Sequence, residues 1–135
     1  MMAIAVLIHA SGIGTVVGSA SPRNWWVAMD GDTVVGCAEV TWHGRSAAIL
    51  TNCVVVASHR RRGIGAGFVR VRLREARRRR KRIAALCTMY YSFRHYKRFG
   101  FRTMPRAKLP ESVRTFTQFT SPRYMKCAVM VRALT

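Results

Sequence analysis

The chain has 135 residues, half of them hydrophobic, so its length predicts one domain with a core of its own. Its 24 Lys and Arg residues outweigh 5 Asp and Glu residues, and the formal net charge of +19 favours anionic partners over cationic ones. No C-x-x-C pair occurs, which disfavours metal and redox motifs, and no basic residue precedes the short N-terminal apolar run, which disfavours a signal peptide or a membrane span.

Residues 1–23 are poor in charge and rich in Ala, Gly and Ser, and no regular element is predicted for them. We treat them as an irregular or truncated N-terminal segment of a single domain, 1–135. The cysteines are far apart in apolar stretches, as is typical of buried, reduced thiols in a cytoplasmic protein. They are Cys37, Cys53, Cys87 and Cys127.

Three strands are predicted next. Residues 25–29 and 33–42 are rich in β-forming residues and flank Asp30-Gly31-Asp32, a good hairpin turn. A second turn at residues 43–46 leads into an apolar strand at 47–56. The three strands together predict a β-meander.

The third strand runs directly into a turn of arginines and glycines and then into a helical pattern. Glycines let the backbone bend and approach a ligand, while the N–H groups at the start of the helix attract anions, so this order predicts a phosphate-binding loop. Gly65 is not followed by Lys and Ser or Thr, which excludes a mononucleotide P-loop, and Phe68 stands where a dinucleotide fingerprint needs glycine. Two apolar stripes predict a helix that packs on two sides. The stripes are Ile64, Phe68 and Val71, and Val69, Leu73 and Ala76.

The second half predicts a strand at 83–88, a helix at 92–99 ended by Gly100, a long loop after Phe101, and a closing strand at 127–134. This order indicates an α/β fold with a sheet of mixed direction. The basic run at 77–82 lies at the end of the long helix, where cations complement the helix dipole. A nucleic-acid patch is the other interpretation of this run.

Two blocks resemble the signatures of the GNAT acyl-CoA N-acyltransferases. They are Arg60-x-x-Gly63-x-Gly65 and Tyr96-Lys97-Arg98-Phe99-Gly100-Phe101, and the resemblance extends over residues 25–134. It implies an α/β, GNAT-like fold: a mixed, mostly antiparallel sheet with splayed central parallel strands and flanking helices, here with the N-terminal helices reduced. It also implies acetyl-CoA as the cosubstrate, no metal, and an N-acetyltransferase activity.

By the same resemblance, the end of the third strand and the loop after it bind coenzyme A. The strand backbone would pair with the pantetheine amides, and the N–H groups and arginines of the loop would hold the pyrophosphate. The implied cofactor-binding residues are Cys53, Val54, Val55, Arg60, Arg61, Arg62, Gly63, Ile64, Gly65 and Ala66.

The catalytic residues are less completely matched. Tyr96 matches the family's tyrosine general acid, which protonates the departing thiolate. Ile49 stands where histone-type members carry a glutamate base, and Glu39 on the neighbouring strand is our first alternative. The histidines are weaker candidates. They are His43, His59 and His95.

The C-terminal part resembles the tail of N-acetylglutamate-synthase-like members, which implies a small amine or an amino acid as acceptor. Basic residues there are candidates for binding a carboxylate. The alternative function is a catalytically inactive, basic GNAT-fold module that binds nucleic acid or ribosome, although nucleic acid ranks second to a small-molecule acceptor as partner. An exposed sheet edge would favour a homodimer, and no membrane partner is expected. The carboxylate candidates are Arg102, Arg106, Lys108 and Arg114.

Overall fold

The computed structural model describes residues 3–6 and 24–134. Seven strands within these residues form one sheet in the order β1-β2-β3-β4-β5-β7-β6. The strands are β1 (Ala3–Val6), β2 (Trp25–Asp30), β3 (Thr33–His43), β4 (Ala47–Val55), β5 (Ile83–Thr88), β6 (Arg102–Met104) and β7 (Ala128–Ala133). The helices are α1 (Ile64–Arg78), α2 (Phe93–Lys97), α3 (Glu111–Arg114) and α4 (Thr117–Thr120).

The sheet is mixed and mostly antiparallel. β1 with β2, β2 with β3, β5 with β7 and β6 with β7 all pair antiparallel, and a turn too short for a crossover joins β3 to β4. The parallel pair is β4 with β5, in register from Ala47↔Ile83 to Ile49↔Ala85. The predicted α/β class, with a mixed sheet and flanking helices, is therefore confirmed.

Most elements lie within a few residues of their predicted positions. The turns use left-handed glycines, Gly31 at φ 60° and Gly44 at φ 62°, and Gly100 at φ 83° follows the second helix as predicted. The segment predicted as irregular, 1–23, contains β1, and its remaining residues lie outside those described, as does any N-terminal helix. The long loop predicted after Phe101 contains β6, α3 and α4, so that prediction is wrong there.

The chain divides into two compact units, and whether 1–135 is one domain stays a prediction. The first unit comprises residues 1–41 and 50–74. Part of its core is a cluster of Trp25, Val27 and Cys37. Phe68 of α1 is fully buried against the sheet. Its ring packs beside Gly36, where any side chain larger than a hydrogen atom would crowd it.

Replacement of Gly36 by alanine is expected to destabilise the protein by about 1–3 kcal/mol, the usual range for overpacking a core. The added Cβ would lie 2.9 Å from the Val54 carbonyl oxygen and 3.1 Å from Phe68 Cε2. Urea unfolding measures the change. Gly65→Ala is the matched control, because no atom lies within 4 Å of its added Cβ, and equal midpoints for the two variants would contradict the steric argument.

The second unit comprises residues 42–49 and 75–135. Its core joins the start of β4 and parts of β5 and β7 to side chains from the segment after β6. Those side chains belong to short helices and turns, which explains why the segment is ordered without long elements. The buried members are Ala47, Ile49, Ala85, Leu109, Val113, Phe119, Val129 and Val131.

The described residues contain no helix that is both long enough and apolar enough to span a membrane.

Candidate functional site

The predicted phosphate-binding loop lies between the end of β4 and the start of α1. After β4 the chain makes a 3-10 turn, Ala57–His59, and then passes through two left-handed residues, Arg61 at φ 64° and Gly63 at φ 81°. Glycine adopts such a φ freely, whereas a residue with a Cβ is strained by about 1 kcal/mol or more. The backbone therefore bends sharply just before α1 begins at Ile64.

Most backbone N–H groups of this bend have no backbone acceptor within the described part of the chain. The Gly67 N–H donates to the Gly63 carbonyl at 3.0 Å and closes the first turn of α1. Among the described residues, the N–H groups from Arg61 to Ala66 make no backbone hydrogen bond, as expected where a helix begins. Together with the positive end of the helix dipole, they form a site suited to an anion.

The side chains around the loop have different roles. Arg61 and Arg62 are exposed, and no ion pair with an acidic residue within the described part of the chain neutralises either. Arg60 Nε instead donates to the Val55 carbonyl at 3.1 Å, which anchors the turn to the end of β4. Two arginines are therefore left to reach a bound anion with their whole guanidinium groups.

His59, a weaker candidate for the base, holds the turn in place. Its Nε2 lies 2.8 Å from Asp30 Oδ2, and its Nδ1 lies 2.8 Å from Ser58 Oγ. The hydrogen bond from His59 lowers the pKa of the Asp30 carboxyl. Its Nε2 ties the turn to the end of β2 and its Nδ1 is engaged within the turn, so a positioning role fits this histidine better than proton abstraction.

The end of β4 is apolar but uncovered. Cys53 is exposed, and Val54 keeps 37% of its surface accessible. The prediction of four buried thiols is wrong for Cys53, because it lies on this uncovered end, and Cys87 and Cys127 are only half-buried. An exposed strand end beside an anion-binding loop suits a ligand that has an extended chain of amide and alkyl groups and a phosphate group at one end.

Glu39, the predicted base, is fully buried in β3. Its Oε1 accepts hydrogen bonds from Thr51 Oγ1 at 2.7 Å and from Asn52 Nδ2 at 2.9 Å. Thr51 Oγ1 also lies 3.2 Å from Thr41 Oγ1, and both threonines are half-buried. Hydroxyl groups thus connect the buried carboxylate with side chains that solvent reaches. These partners of Glu39 were not predicted, although polar residues within two otherwise apolar strands are a signal for them.

Arg72 is the other buried charged residue of the first unit, and it lies on α1 between the two predicted apolar stripes. Its Nε donates to the Phe68 carbonyl at 3.1 Å, and its Nη1 donates to the backbone carbonyls of Glu39 at 3.1 Å and Thr51 at 3.4 Å. Its Nη2 has no hydrogen-bond partner within the described chain. Arg72 therefore joins β3 and β4 through the backbone carbonyls of Glu39 and Thr51, whose side chains are hydrogen-bonded to each other.

Tyr96, the predicted general acid, belongs to α2 in the second unit. Its backbone carbonyl accepts hydrogen bonds from the N–H groups of Phe99 at 2.9 Å and Phe101 at 3.2 Å, which ends the helix. Its ring packs edge-on against His95 and Phe101, with centroids 4.9 and 6.0 Å away. The implied cofactor-binding residues and Glu39 lie in the first unit.

The basic run at the end of α1 makes contacts within the second unit. The Glu75 carboxylate accepts a hydrogen bond from Arg78 Nε at 2.7 Å and lies 3.7 Å from Arg79 Nε. The hydrogen bond from Arg78 lowers the pKa of the Glu75 carboxyl below its usual value. Arg79 stacks 4.3 Å over the ring of Trp42. Lys81 Nζ donates to the carbonyls of residues 44 and 45. Half of the run is thus engaged in holding the helix end.

Among the residues that the structure describes, no three His, Cys, Asp or Glu side chains form a group that could hold a metal ion.

Comparison with known proteins adds a family and a fold. Residues 21–103 match the model of the acetyltransferase (GNAT) domain, which is more than half of the chain. No curated protein matches the sequence with significance.

Several solved structures share the fold. Rv2747 from Mycobacterium tuberculosis, in complex with CoA, is 20% identical with a TM-score of 0.73, over 84% of this chain and 78% of that one. N-acetylglutamate synthase from Neisseria gonorrhoeae, complexed with coenzyme A and N-acetyl-glutamate, is 15% identical with a TM-score of 0.80, over 100% of this chain and 35% of that one. The chain therefore spans about a third of that synthase.

The ribosomal-protein-S18-alanine N-acetyltransferase from Escherichia coli is 13% identical, with a TM-score of 0.71, over 100% of this chain and 95% of that one. At such identities these structures establish the fold of this chain and leave its acceptor open.

Proposed function

The chain belongs to the GNAT family of acetyltransferases, enzymes that take the acetyl group from acetyl-CoA, and we propose that its acceptor is the primary amine of a small molecule or an amino acid. The resemblance found in the sequence is thereby confirmed at the level of the family. The acceptor, the identity of the site residues and their roles in catalysis are proposals.

One observation carries the proposal on the donor side: the N–H groups from Arg61 to Ala66, at the positive end of α1, make no backbone hydrogen bond among the described residues. A diphosphate supplies the acceptor oxygens that these donors lack. Arg61 and Arg62 add charge-assisted donors, and the exposed end of β4, Cys53–Val55, offers backbone groups to the pantetheine amides. These residues therefore fit coenzyme A.

Shortened donors test this assignment without any change to the protein. We expect S-acetylpantetheine, which lacks the diphosphate, to have a kcat/KM at least about tenfold to a hundredfold below that of acetyl-CoA, since the loss of even one charge-assisted hydrogen bond costs about 1.5–3 kcal/mol. S-acetyl-4′-phosphopantetheine, which keeps one phosphate, should lie between them. Steady-state thiol release measures all three, and equal values would show that the loop does not bind the diphosphate.

The catalytic part of the proposal divides proton transfer between two residues. When the amine nitrogen attacks the acetyl carbonyl carbon, its proton would pass through the Thr51 hydroxyl to the Glu39 carboxylate, because Thr51 already donates to Glu39. As the carbon–sulfur bond breaks, the Tyr96 hydroxyl would give its proton to the thiolate of coenzyme A. One amine proton is lost and one thiol is formed, so the protons balance.

The acceptor class has support from charge and from the fold relatives. A protein with a net charge of +19 favours acidic or zwitterionic amines over polyamines. Among the fold relatives, the Neisseria structure contains N-acetyl-glutamate and the Escherichia coli enzyme is named for an alanine of a ribosomal protein. A panel of amino acids, small amines and peptide N-termini, assayed by thiol release from acetyl-CoA, tests the proposal. Release no faster than hydrolysis with every amine would reject it.

The binding module without catalysis stays a prediction, as do the homodimer and the cytoplasmic location. Three residues of the basic run are engaged within the second unit, namely Arg78, Arg79 and Lys81. Such engagement fits a stabilised helix end as well as it fits a nucleic-acid surface, so no structural observation favours the second function.

A further inference from the structure

An open pocket of about 390 Å³ lies within the second unit, at the ends of β6 and β7. One part of its wall is apolar, formed by Met104, Pro105 and the start of β7. The other part is polar and includes two cations, Arg106 and Lys126. No acidic residue lines the pocket. The lining residues are Thr103, Met104, Pro105, Arg106, Lys126, Cys127, Ala128 and Val129.

Arg106 is held rigidly by neutral groups. Its Nε donates to the Phe119 carbonyl at 3.0 Å, and its Nη2 donates to the Tyr124 carbonyl at 2.8 Å. Its Nη1 makes no hydrogen bond among the described residues, and none of their carboxylates forms an ion pair with it. The guanidinium is thus fixed in place with one donor group available to a ligand.

The thiol next to Arg106 does not neutralise it. Arg106 Nη2 lies 3.9 Å from Cys87 Sγ, but burial raises the pKa of the Cys87 thiol to about 12. The thiol is therefore neutral near pH 7. A half-buried guanidinium whose partners are two carbonyls and a neutral thiol has no counterion among the described residues, and a bound anion would stabilise it.

Lys126 brings a second cation to the same pocket. It is exposed, and the described part of the chain contains no ion pair that occupies it. Cys127, beside it, is directed towards Met89, with its Sγ 3.6 Å from Met89 Sδ. The lining thus offers two positive charges and a threonine hydroxyl together with a small apolar surface.

We propose that this pocket binds a small monocarboxylate with a short apolar body, its carboxylate on Arg106 Nη1 and Lys126 and its body against Met104 and Val129. Two sources of this chemistry fit: the carboxylate of the acceptor amine itself, or a separate carboxylic acid that binds without being acetylated. The first source rests on the proposed function, whereas the second goes beyond it, since the site needs no acetyl-CoA to form.

Binding can be measured on the unaltered protein with 3-methylbutanoate as the probe and 3-methylbutanamide, its neutral isostere, as the matched control. We expect saturable ¹H–¹⁵N shift changes at Thr103, Met104 and Val129 with the carboxylate. The affinity for the amide, from the same titration, should be at least about tenfold lower, because the charge-assisted hydrogen bonds are lost. Equal binding of the two probes, or no saturable shifts at these residues, would overturn the proposal.

Two variants place the carboxylate. Lys126→Gln should weaken the binding of 3-methylbutanoate severalfold, whereas Lys97→Gln, at an exposed lysine outside the lining, should leave its affinity unchanged. Arg106→Gln should abolish saturable binding, with circular dichroism as the check that it folds. If it does not fold, the Lys126 and Lys97 variants and the amide comparison still decide. Equal loss in the Lys97 and Lys126 variants would contradict the site.

Kinetics separate the two sources, and separate this inference from the proposed function. A carboxylate that competes with the acceptor amine identifies the acceptor's own subsite, whereas one that binds without competing identifies a separate ligand. Saturable binding without acetyl transfer to any amine would reject the proposed function and leave the pocket standing. Acetyl transfer without carboxylate binding would do the reverse.

Discussion

Glu39→Gln is expected to lower kcat by about a hundredfold or more, the lower end of what a general base contributes. Glutamine keeps the volume of the side chain and an oxygen that can accept from Thr51 and Asn52, which both bond Glu39 Oε1. The variant therefore removes the basic charge and leaves the cluster otherwise in place. KM for acetyl-CoA should be unchanged, since the loop before α1 is untouched.

The pH profile distinguishes a base from a structural residue. If Glu39 accepts the amine proton, the fall of kcat/KM at acid pH should be lost in the variant, apart from the protonation of the amine substrate itself. A residue that only stabilises the fold would lower the unfolding midpoint and leave the shape of the profile intact. Unchanged kcat in a folded Glu39→Gln protein would reject the base.

Thr51 variants test the route that the proton takes. Thr51→Val removes the hydroxyl that donates to Glu39 at 2.7 Å at nearly constant volume, and we expect kcat to fall about a hundredfold, the lower end of the range for proton-transfer groups. Thr51→Ser keeps the hydroxyl and is the matched control. If serine and valine lower kcat equally, the hydroxyl does not carry the proton.

The donor loop could be predicted from sequence because its geometry follows from local residue types. Gly63 is left-handed at φ 81°, as a tight glycine turn requires, and the helix begins one residue later at Ile64. Both facts depend on neighbours in the chain, and patterns within about 15 residues carry that information. Arg61 at φ 64° could not be predicted, since the surrounding turn imposes this conformation on it.

The surroundings of Glu39 were predictable only in part. A lone carboxylate in an apolar strand marks a position that needs partners, because an unpaired buried charge is costly. The identity of those partners depends on the pairing of β3 with β4 and on side-chain rotamers, which leave no local pattern. Arg72 shows the same limit: a buried arginine on α1 interrupts the apolar stripes, yet three backbone carbonyls accept its hydrogen bonds.

The segment after Phe101 was misread as a loop for a physical reason. Three prolines and many polar residues mark it, and its helices are only four residues long each, too short to show a periodic pattern. Its few apolar side chains nevertheless cover the core of the second unit, among them Leu109, Val113 and Phe119. The pocket that includes Arg106 lies at the edge of this segment. Its lining comes from residues 103–106 and 126–129, which only the fold brings together, so the sequence could not predict it.

Tyr96→Phe is expected to lower kcat by about a hundredfold, because the departing thiolate would lose its proton donor. Phenylalanine keeps the ring that packs edge-on against His95 and Phe101, and the backbone carbonyl that ends α2 is unaffected. Stability should therefore change little. Thiol release under saturating amine and acetyl-CoA measures kcat, and thermal unfolding confirms the fold.

Tyr91→Phe is the matched control, because this tyrosine also precedes Gly100 in the second unit but is 74% exposed. Its kcat should equal that of the unaltered protein. In Tyr96→Phe, the fall of kcat at alkaline pH should also be flatter, because the residual reaction does not use a donor that must be protonated. Equal kcat for both variants would remove Tyr96 from the mechanism and leave the thiolate to depart unprotonated or with a proton from water.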